Sequence, residues 1–319
     1  MKKFITILSL NLSVTVGFAQ QDAQFSQNMF NRLAINPGYA GSNNAICATL
    51  LGRQQWLAFD KGQNWGGGTV PKTYLISVEA PIAAIHGGAG INIIQDQIGF
   101  DKTLIANLTY SFRMPLGPGN LGIGINGGIL SKSLKGDWKA PDGAEALAKD
   151  QSIPKDGVNT TAIDASFGVY YNISDELYVG ISSTHIPAST LKSDKLNFDL
   201  ARHYYLMGGY NYALPNPKLE LRPSFFVKTV GSTTQMDLNC NLMYDKMVWG
   251  GVSYRVSDAV VGMVGFQHSS GAKIGIAYDF TTSGIKNNGS VNTFEIMLGY
   301  CHKLPEPNKM QKNKNVRFL

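Results

Sequence analysis

Charge is scarce in this chain. Asp, Glu, Lys and Arg make up 16% of its 319 residues, against roughly a quarter in soluble globular domains. Long apolar runs are missing as well. No stretch approaches the roughly 18 consecutive apolar residues of a spanning helix, which excludes a helical membrane protein. There are only three cysteines, Cys47, Cys240 and Cys301. The odd count and wide spacing argue against a disulfide framework or a metal knuckle, so they are read as small apolar residues. The five histidines, His86, His185, His203, His268 and His302, show no ligand spacing. A P-loop and a nucleophile elbow are also lacking. Gly122-Ile123-Gly124-Ile125-Asn126-Gly127 spells the dinucleotide fingerprint. No acceptor helix follows it, and its glycines alternate with Leu121, Ile123 and Ile125 as they do in a strand. No catalytic residue, cofactor or metal ligand is therefore expected, and no enzyme activity.

What charge there is lies at the ends. The chain has 28 basic and 22 acidic residues, a formal +6. Met1–Ala19 has the form of a secretory signal peptide: Lys2 and Lys3, an apolar stretch from Phe4 to Val16, then Gly17-Phe18-Ala19 before the cut. Losing it leaves +4. Residues 303–319 hold Lys303, Lys309, Lys312, Lys314 and Arg317 against Glu306, also +4. The body between is close to neutral, so the basic pI is no signature of nucleic-acid binding.

The dominant pattern has a period of two. Leu238, Cys240, Leu242 and Tyr244 alternate with Asp237, Asn239, Asn241 and Met243, and the same holds around Ile163–Tyr171, Ile274–Phe280 and Phe294–Tyr300. Strands apolar on one side and small or polar on the other suit a soluble sandwich or a membrane barrel with a wet lumen. Two features favour the barrel. Aromatic residues sit near strand ends: Tyr110, Phe112, Tyr171, Tyr212, Tyr244, Tyr254, Phe280 and Tyr300. Connections also alternate in length. Short turns at 82–86, 115–120, 172–176, 214–218, 245–246 and 268–271 alternate with connections that include long loops at 58–72, 133–160, 187–200 and 281–291.

The expected fold is all-β: a transmembrane antiparallel β-barrel of the bacterial outer membrane spanning residues 45–302, with about fourteen strands and lipid around it. The loops at 230–233 and 256–258 are short for external ones, which leaves the count open by two. Inward groups would include Glu79, Arg113, Asp164, Lys228, Asp237, Arg255, Asp279 and Glu295. They either pair with one another or line a selective pore.

Two segments fall outside the pattern, and both are expected in the periplasm with the two termini. Residues 20–44 are rich in Gln and Asn and carry Phe25, Met29, Phe30 and Tyr39. These apolar anchors lack a core of their own, so they should pack on the barrel mouth, in its lumen, or on a partner. The basic tail 303–319 ends on Val316-Arg317-Phe318-Leu319, where Arg317 and Phe318 are the candidate partner-binding groups.

The stretch from Gln20 to Asn31, then Ala34-Ile35-Asn36-Pro37-Gly38-Tyr39-Ala40-Gly41, resembles the start of mature proteins of the PorP/SprF family. Further similarities are Arg53-Gln54-Gln55-Trp56, Ser253-Tyr254-Arg255, Gly275-Ile276-Ala277-Tyr278-Asp279, Phe294-Glu295-Ile296 and the closing Arg317-Phe318-Leu319. The resemblance runs over nearly the whole mature chain. It implies an outer-membrane component of the type IX secretion system of Bacteroidota. The partners it implies are secreted cargo, such as a gliding adhesin, and periplasmic secretion components. The alternatives are a diffusion channel and an outer-membrane lipid hydrolase.

Overall fold

The structure, a computed structural model, describes residues 22–57, 69–134, 157–174, 176–192, 197–231, 233–284 and 292–304. The period-two segments all form strands. In chain order these are β1 (Ala45–Gln54), β2 (Thr69–Ile82), β3 (Gly87–Gly99), β4 (Asp101–Leu116), β5 (Gly119–Leu134), β6 (Val158–Ile173) and β7 (Leu177–Thr184). A small hairpin follows, β8 (Thr190–Lys192) with β9 (Asn197–Asp199), which the loop's sequence does not announce. The wall resumes with β10 (His203–Tyr210) and its short continuation β11 (Tyr212–Ala213). It ends with β12 (Leu219–Val230), β13 (Thr233–Tyr244), β14 (Val248–Arg255), β15 (Ala259–Gln267), β16 (Ala272–Thr281) and β17 (Thr293–Lys303).

Each wall strand pairs antiparallel with its neighbour in the chain, and β1 pairs with β17, so the sheet closes on itself. Counting β10 and β11 as one gives a closed barrel of fourteen strands, as the alternation predicts. Of the two short connections that left the count open, one joins β12 to β13 between Val230 and Thr233 and the other is a tight turn at 256–258 between β14 and β15. On the side where β1 begins and β17 ends, the hairpins are tight throughout. Asp245 and Lys246 both adopt positive φ, 51° and 55°, the geometry whose twist matches that of paired strands.

The alternation sorts the two faces. Leu238, Leu242 and Tyr244 of β13 face outward, while Asp237, Asn239, Asn241 and Met243 of the same strand are buried. Exposed aromatics crowd both rims: Tyr110, Phe112, Tyr212, Tyr244 and Tyr300 on the tight-turn side, Tyr204, Tyr254 and Phe280 on the other. An apolar band between aromatic belts is the outer surface of a barrel set in lipid.

Two readings from sequence need correction. Cys47 and Cys301 are not merely small apolar residues: they form a disulfide across the β1–β17 seam, where they are register partners with Cα atoms 4.1 Å apart. They lie 254 residues apart in sequence, so only barrel closure brings them together. Cys240 alone is a free, exposed thiol. Second, residues 22–43 do not lie beneath the barrel. They run through its lumen, with Asp22 level with the far ends of β7 and β10.

Reduction, or Cys47→Ser with Cys301→Ser, should lower barrel stability by about 2–4 kcal/mol; urea titration followed by heat-modifiable gel migration measures this. A thiol assay on the unreduced, denatured chain should find one reactive cysteine. Ile276→Arg and Leu298→Arg, mid-strand on the lipid face, should each cost roughly 2–4 kcal/mol. Ala277→Arg will not be the mild control that its lumenal side suggests. Ala277 is fully buried against the lumenal packing, so its damage will come from bulk rather than charge.

Candidate functional site: the occupied lumen

The lumenal segment consists of short helical turns, at Asn28–Phe30, Arg32–Ile35 and Pro37–Tyr39. None is long enough to be stable alone. Their shape is set by the wall, which holds them at four places.

The deepest contact is ionic. Arg53 of β1 pairs with Asp279 of β16 at 2.8 Å and with Glu295 of β17 at 3.1 Å. Arg255 of β14 pairs with Asp237 of β13 at 3.2 Å and with Asp279 at 3.1 Å. All five side chains are buried. Three carboxylates against two guanidiniums leave one negative charge over, and the segment meets it. The backbone amides of Ser26 and Gln27 donate to the two oxygens of Glu295, both at 2.8 Å. The Ser26 hydroxyl donates to Asp279 at 2.7 Å and accepts from Arg53 at 2.6 Å. The Gln24 and Asn28 amides donate to Asp237.

The second contact is apolar. Phe25 is buried with Leu51, Leu75, Met243, Trp249, Val261, Met263 and Met297, inward residues of β1, β2, β13–β15 and β17. Met29 and Phe30 pack against the same cluster, with the Phe30 ring 4.9 Å from that of Trp249.

The third contact lies on the opposite wall. The Arg32 guanidinium stacks on the Tyr178 ring at 3.7 Å and donates to the Tyr170 hydroxyl at 3.1 Å. The Asn36 amide donates to the carbonyls of Val169 on β6 and Ile181 on β7, at 3.0 and 3.2 Å. Pro37 and Gly38 then lie flat on β5 and β6. A Cβ on Gly122 would stand 2.2 Å from the Gly38 carbonyl, and one on Gly124 would stand 2.3 Å from Pro37. These glycines, which imitate a nucleotide-binding fingerprint, leave the wall bare so that another backbone can approach. The segment leaves toward β1 over Glu79, which accepts from the Gly41 amide at 2.9 Å and from Asn43 at 2.7 Å.

The fourth contact is Asp22. Its carboxylate meets His185 Nε2 at 2.7 Å, Thr184 Oγ1 at 3.1 Å and the Tyr205 hydroxyl. Asp164 holds the other ring nitrogen of His185 at 2.9 Å. Burial alone would raise the Asp22 carboxyl, but the His185 and His203 rings hold it well below the usual carboxylate range. Burial alone would lower His185, and the Asp22 and Asp164 carboxylates instead push it up to about 10.

The segment divides the lumen. A cavity of about 120 Å³ remains on the long-loop side, lined by Asp22, His185 and His203 among others. A vestibule of about 740 Å³ opens on the tight-turn side, with Met29, Phe30 and Tyr39 on its surface.

The sequence-predicted site residues thus divide. Phe25 is consumed by internal packing. Met29, Phe30 and Tyr39 are half-buried and still present a face to the vestibule. Arg317 and Phe318 lie outside the described residues. The inward charges Glu79, Asp164, Lys228, Asp237, Arg255, Asp279 and Glu295 are all buried as expected, and the pairing reading holds for Asp237, Arg255, Asp279 and Glu295. Sequence reasoning missed Arg53 as their partner, and missed Asp22, His185 and His203 altogether. The signal for Arg53 was available: it is a lone charge at an inward position of β1.

Arg53→Ala leaves buried Glu295 without its cationic partner and Asp279 with Arg255 alone, at a cost of about 3–5 kcal/mol. The barrel wall keeps its hydrogen bonds, so the expected result is a folded barrel with a loosened segment. Planar-bilayer recording should show brief openings in the variant, and proteolysis should cut near residue 30 faster than in the parent.

The comparisons with known proteins follow this geometry. No curated protein matches the chain. Among solved structures, the chain is similar to a mutant of the monoaromatic hydrocarbon channel TodX, with a TM-score of 0.50 and 11% identity over 85% of this chain and 94% of that one. It is also similar to the Pseudomonas putida toluene transporter TodX, with a TM-score of 0.45 and 10% identity over 89% and 95% of the two chains. Omp33 of Acinetobacter baumannii gives a TM-score of 0.44 and 8% identity over 81% and 99%. The first of these, at a TM-score of 0.50, speaks for the fold alone, an outer-membrane barrel. Residues 17–300 match the family described as type IX secretion system membrane protein PorP/SprF. That match takes in both the lumenal segment and the wall that binds it, and the chain therefore belongs to the PorP/SprF family of type IX secretion system membrane proteins.

Proposed function

We propose that the protein is a non-enzymatic binding and assembly component of the secretion system, closed to free diffusion. Its partners are secreted cargo, such as a gliding adhesin, and periplasmic secretion components. One observation carries the reading: residues 22–43 occupy the lumen and are held there by buried ion pairs and backbone hydrogen bonds. A porin needs a water-filled path. Here the wall's charges are spent on its own N-terminal segment.

The tight-turn end is assigned to the periplasm, because outer-membrane barrels turn tightly on that side. It presents the vestibule with Met29, Phe30 and Tyr39. The basic tail also departs from there, since β17 ends at Lys303 on the vestibule rim. A half-apolar concavity suits a periplasmic protein partner, and the tail's Arg317 and Phe318 offer it an Arg and an aromatic residue in sequence.

Two measurements test the proposal. The purified barrel should be silent in single-channel recording, whereas steady conductance would favour the diffusion-channel alternative. Arg317→Ala with Phe318→Ala should leave a heat-modifiable barrel in the outer membrane that no longer co-purifies its periplasmic partner. Retention of the partner would remove the tail from the binding surface.

A further inference from the structure

Asp22, His185 and His203 bring one carboxylate oxygen and two imidazole nitrogens within 4.8 Å of one another. Asp22 belongs to the lumenal segment, His185 follows the end of β7, and His203 begins β10. Both histidines are buried. We propose that these three residues form a binding site for a divalent transition-metal ion, Zn²⁺ by its donor set, which latches the lumenal segment to the barrel wall. The inference is independent of the secretion role.

Each candidate ligand is oriented from behind, as metal ligands are. The Asp164 carboxylate lies 2.9 Å from His185 Nδ1 and accepts a hydrogen bond from it, while Nε2 donates to Asp22 Oδ1, 2.7 Å away, so once the Nε2 proton leaves, the Nε2 lone pair points toward the Asp22 carboxylate. His203 Nδ1 lies 3.0 Å from the Ala201 carbonyl. That fixes the tautomer and leaves its Nε2 lone pair facing Asp22, where the Asp22 amide now occupies it at 2.9 Å. The other Asp22 oxygen, Oδ2, accepts from the Thr184 and Tyr205 hydroxyls, so it is Oδ1, now the partner of His185 Nε2, that an ion displacing the Nε2 proton would meet.

Two imidazoles and one carboxylate are a donor set that Zn²⁺ takes with a water as fourth ligand. The 120 Å³ cavity borders all three residues and has room for that water. The Oδ2 atom of Asp164 is buried with no hydrogen-bond partner among the described residues, so acceptor capacity is left over at the site. Binding requires small shifts. The ion takes the place of the Nε2 proton of His185, which leaves to solvent, and His203 Nε2 exchanges the Asp22 amide for the ion. Asp22 stands at the far end of the segment from β1. An ion there would add to the hydrogen bonds that already hold the segment at Asp22.

The test uses the full mature chain, purified in detergent without a polyhistidine tag and stripped with a chelator. Titration with ZnCl₂ should show one saturable equivalent. Titration with CoCl₂ should give the intense visible absorption of a four-coordinate nitrogen and oxygen site, abolished by adding Zn²⁺. Asp22→Asn, His185→Gln and His203→Gln should each abolish the band, and Asp164→Asn should weaken binding by about 10–100-fold. Heat-modifiable migration checks that each variant remains a barrel. If a variant fails to fold, the wild-type cobalt spectrum decides. No saturable Zn²⁺ binding, a six-coordinate cobalt spectrum, or binding undiminished in folded variants would each overturn the proposal. The cluster would then be an Asp–His–Asp hydrogen-bond relay.

Discussion

The structure depends on a charge imbalance in the barrel wall. Asp237, Asp279 and Glu295 face Arg53 and Arg255, all buried on the lumenal side, one carboxylate in excess. An uncompensated buried charge costs several kcal/mol. The Ser26 and Gln27 amides complete the set by donating to Glu295. Fourteen strands enclose more space than inward side chains fill. The same segment that settles the charge also fills the void, placing Phe25 among Leu51, Leu75, Trp249 and Met297. Wall and segment are therefore one folding problem. The wall without the segment would lose the Ser26 and Gln27 donors to Glu295 and expose an apolar patch, and the segment without the wall is too short to hold helical turns.

Geometry links that interaction to closure of the barrel. The segment passes into β1, which carries Arg53 on its inner face and Cys47 near its start. β1 pairs with β17, which carries Glu295 and Cys301. The ion pair, the disulfide and the first-to-last strand pairing all lie along one seam. Docking of the segment and closure of the cylinder therefore reinforce each other. The opposite wall receives the segment differently. There β5 and β6 offer bare glycine backbone to Pro37-Gly38, and Arg32 lies against tyrosine rings. One wall binds by charge and the other by shape, which fixes the segment across the full width of the lumen.

The functional consequence is a membrane barrel whose two faces differ. Its long-loop side has a small cavity with an acid–imidazole cluster, and its tight-turn side has a wide vestibule with half-buried aromatic and aliphatic groups. The segments that carry the resemblance to the PorP/SprF family are scattered from Gln20 to Leu319 in sequence. Several converge on the one charge cluster: Ser26, Arg53, Arg255, Asp279 and Glu295.

The sequence by itself determined the wall. A strand's period of two is a property of adjacent residues, so the fourteen strands, their inward and outward faces and the tight turns could be read directly. The aromatic rims and the inward charges could be read for the same reason. What only the tertiary structure decided is everything that closure brings together. Cys47 and Cys301 look like unrelated small residues until first and last strands share a register. Residues 22–43 have no period, because their conformation is dictated by partners as much as 269 residues away, as with Ser26 and Glu295. Docking in the lumen and docking on a partner demand the same apolar anchors, so composition could not choose between them. His185 and His203 lack ligand spacing in the sequence. They meet because β7 and β10 pair, with His203 opposite Thr184, and Asp22 reaches them only by threading the length of the barrel.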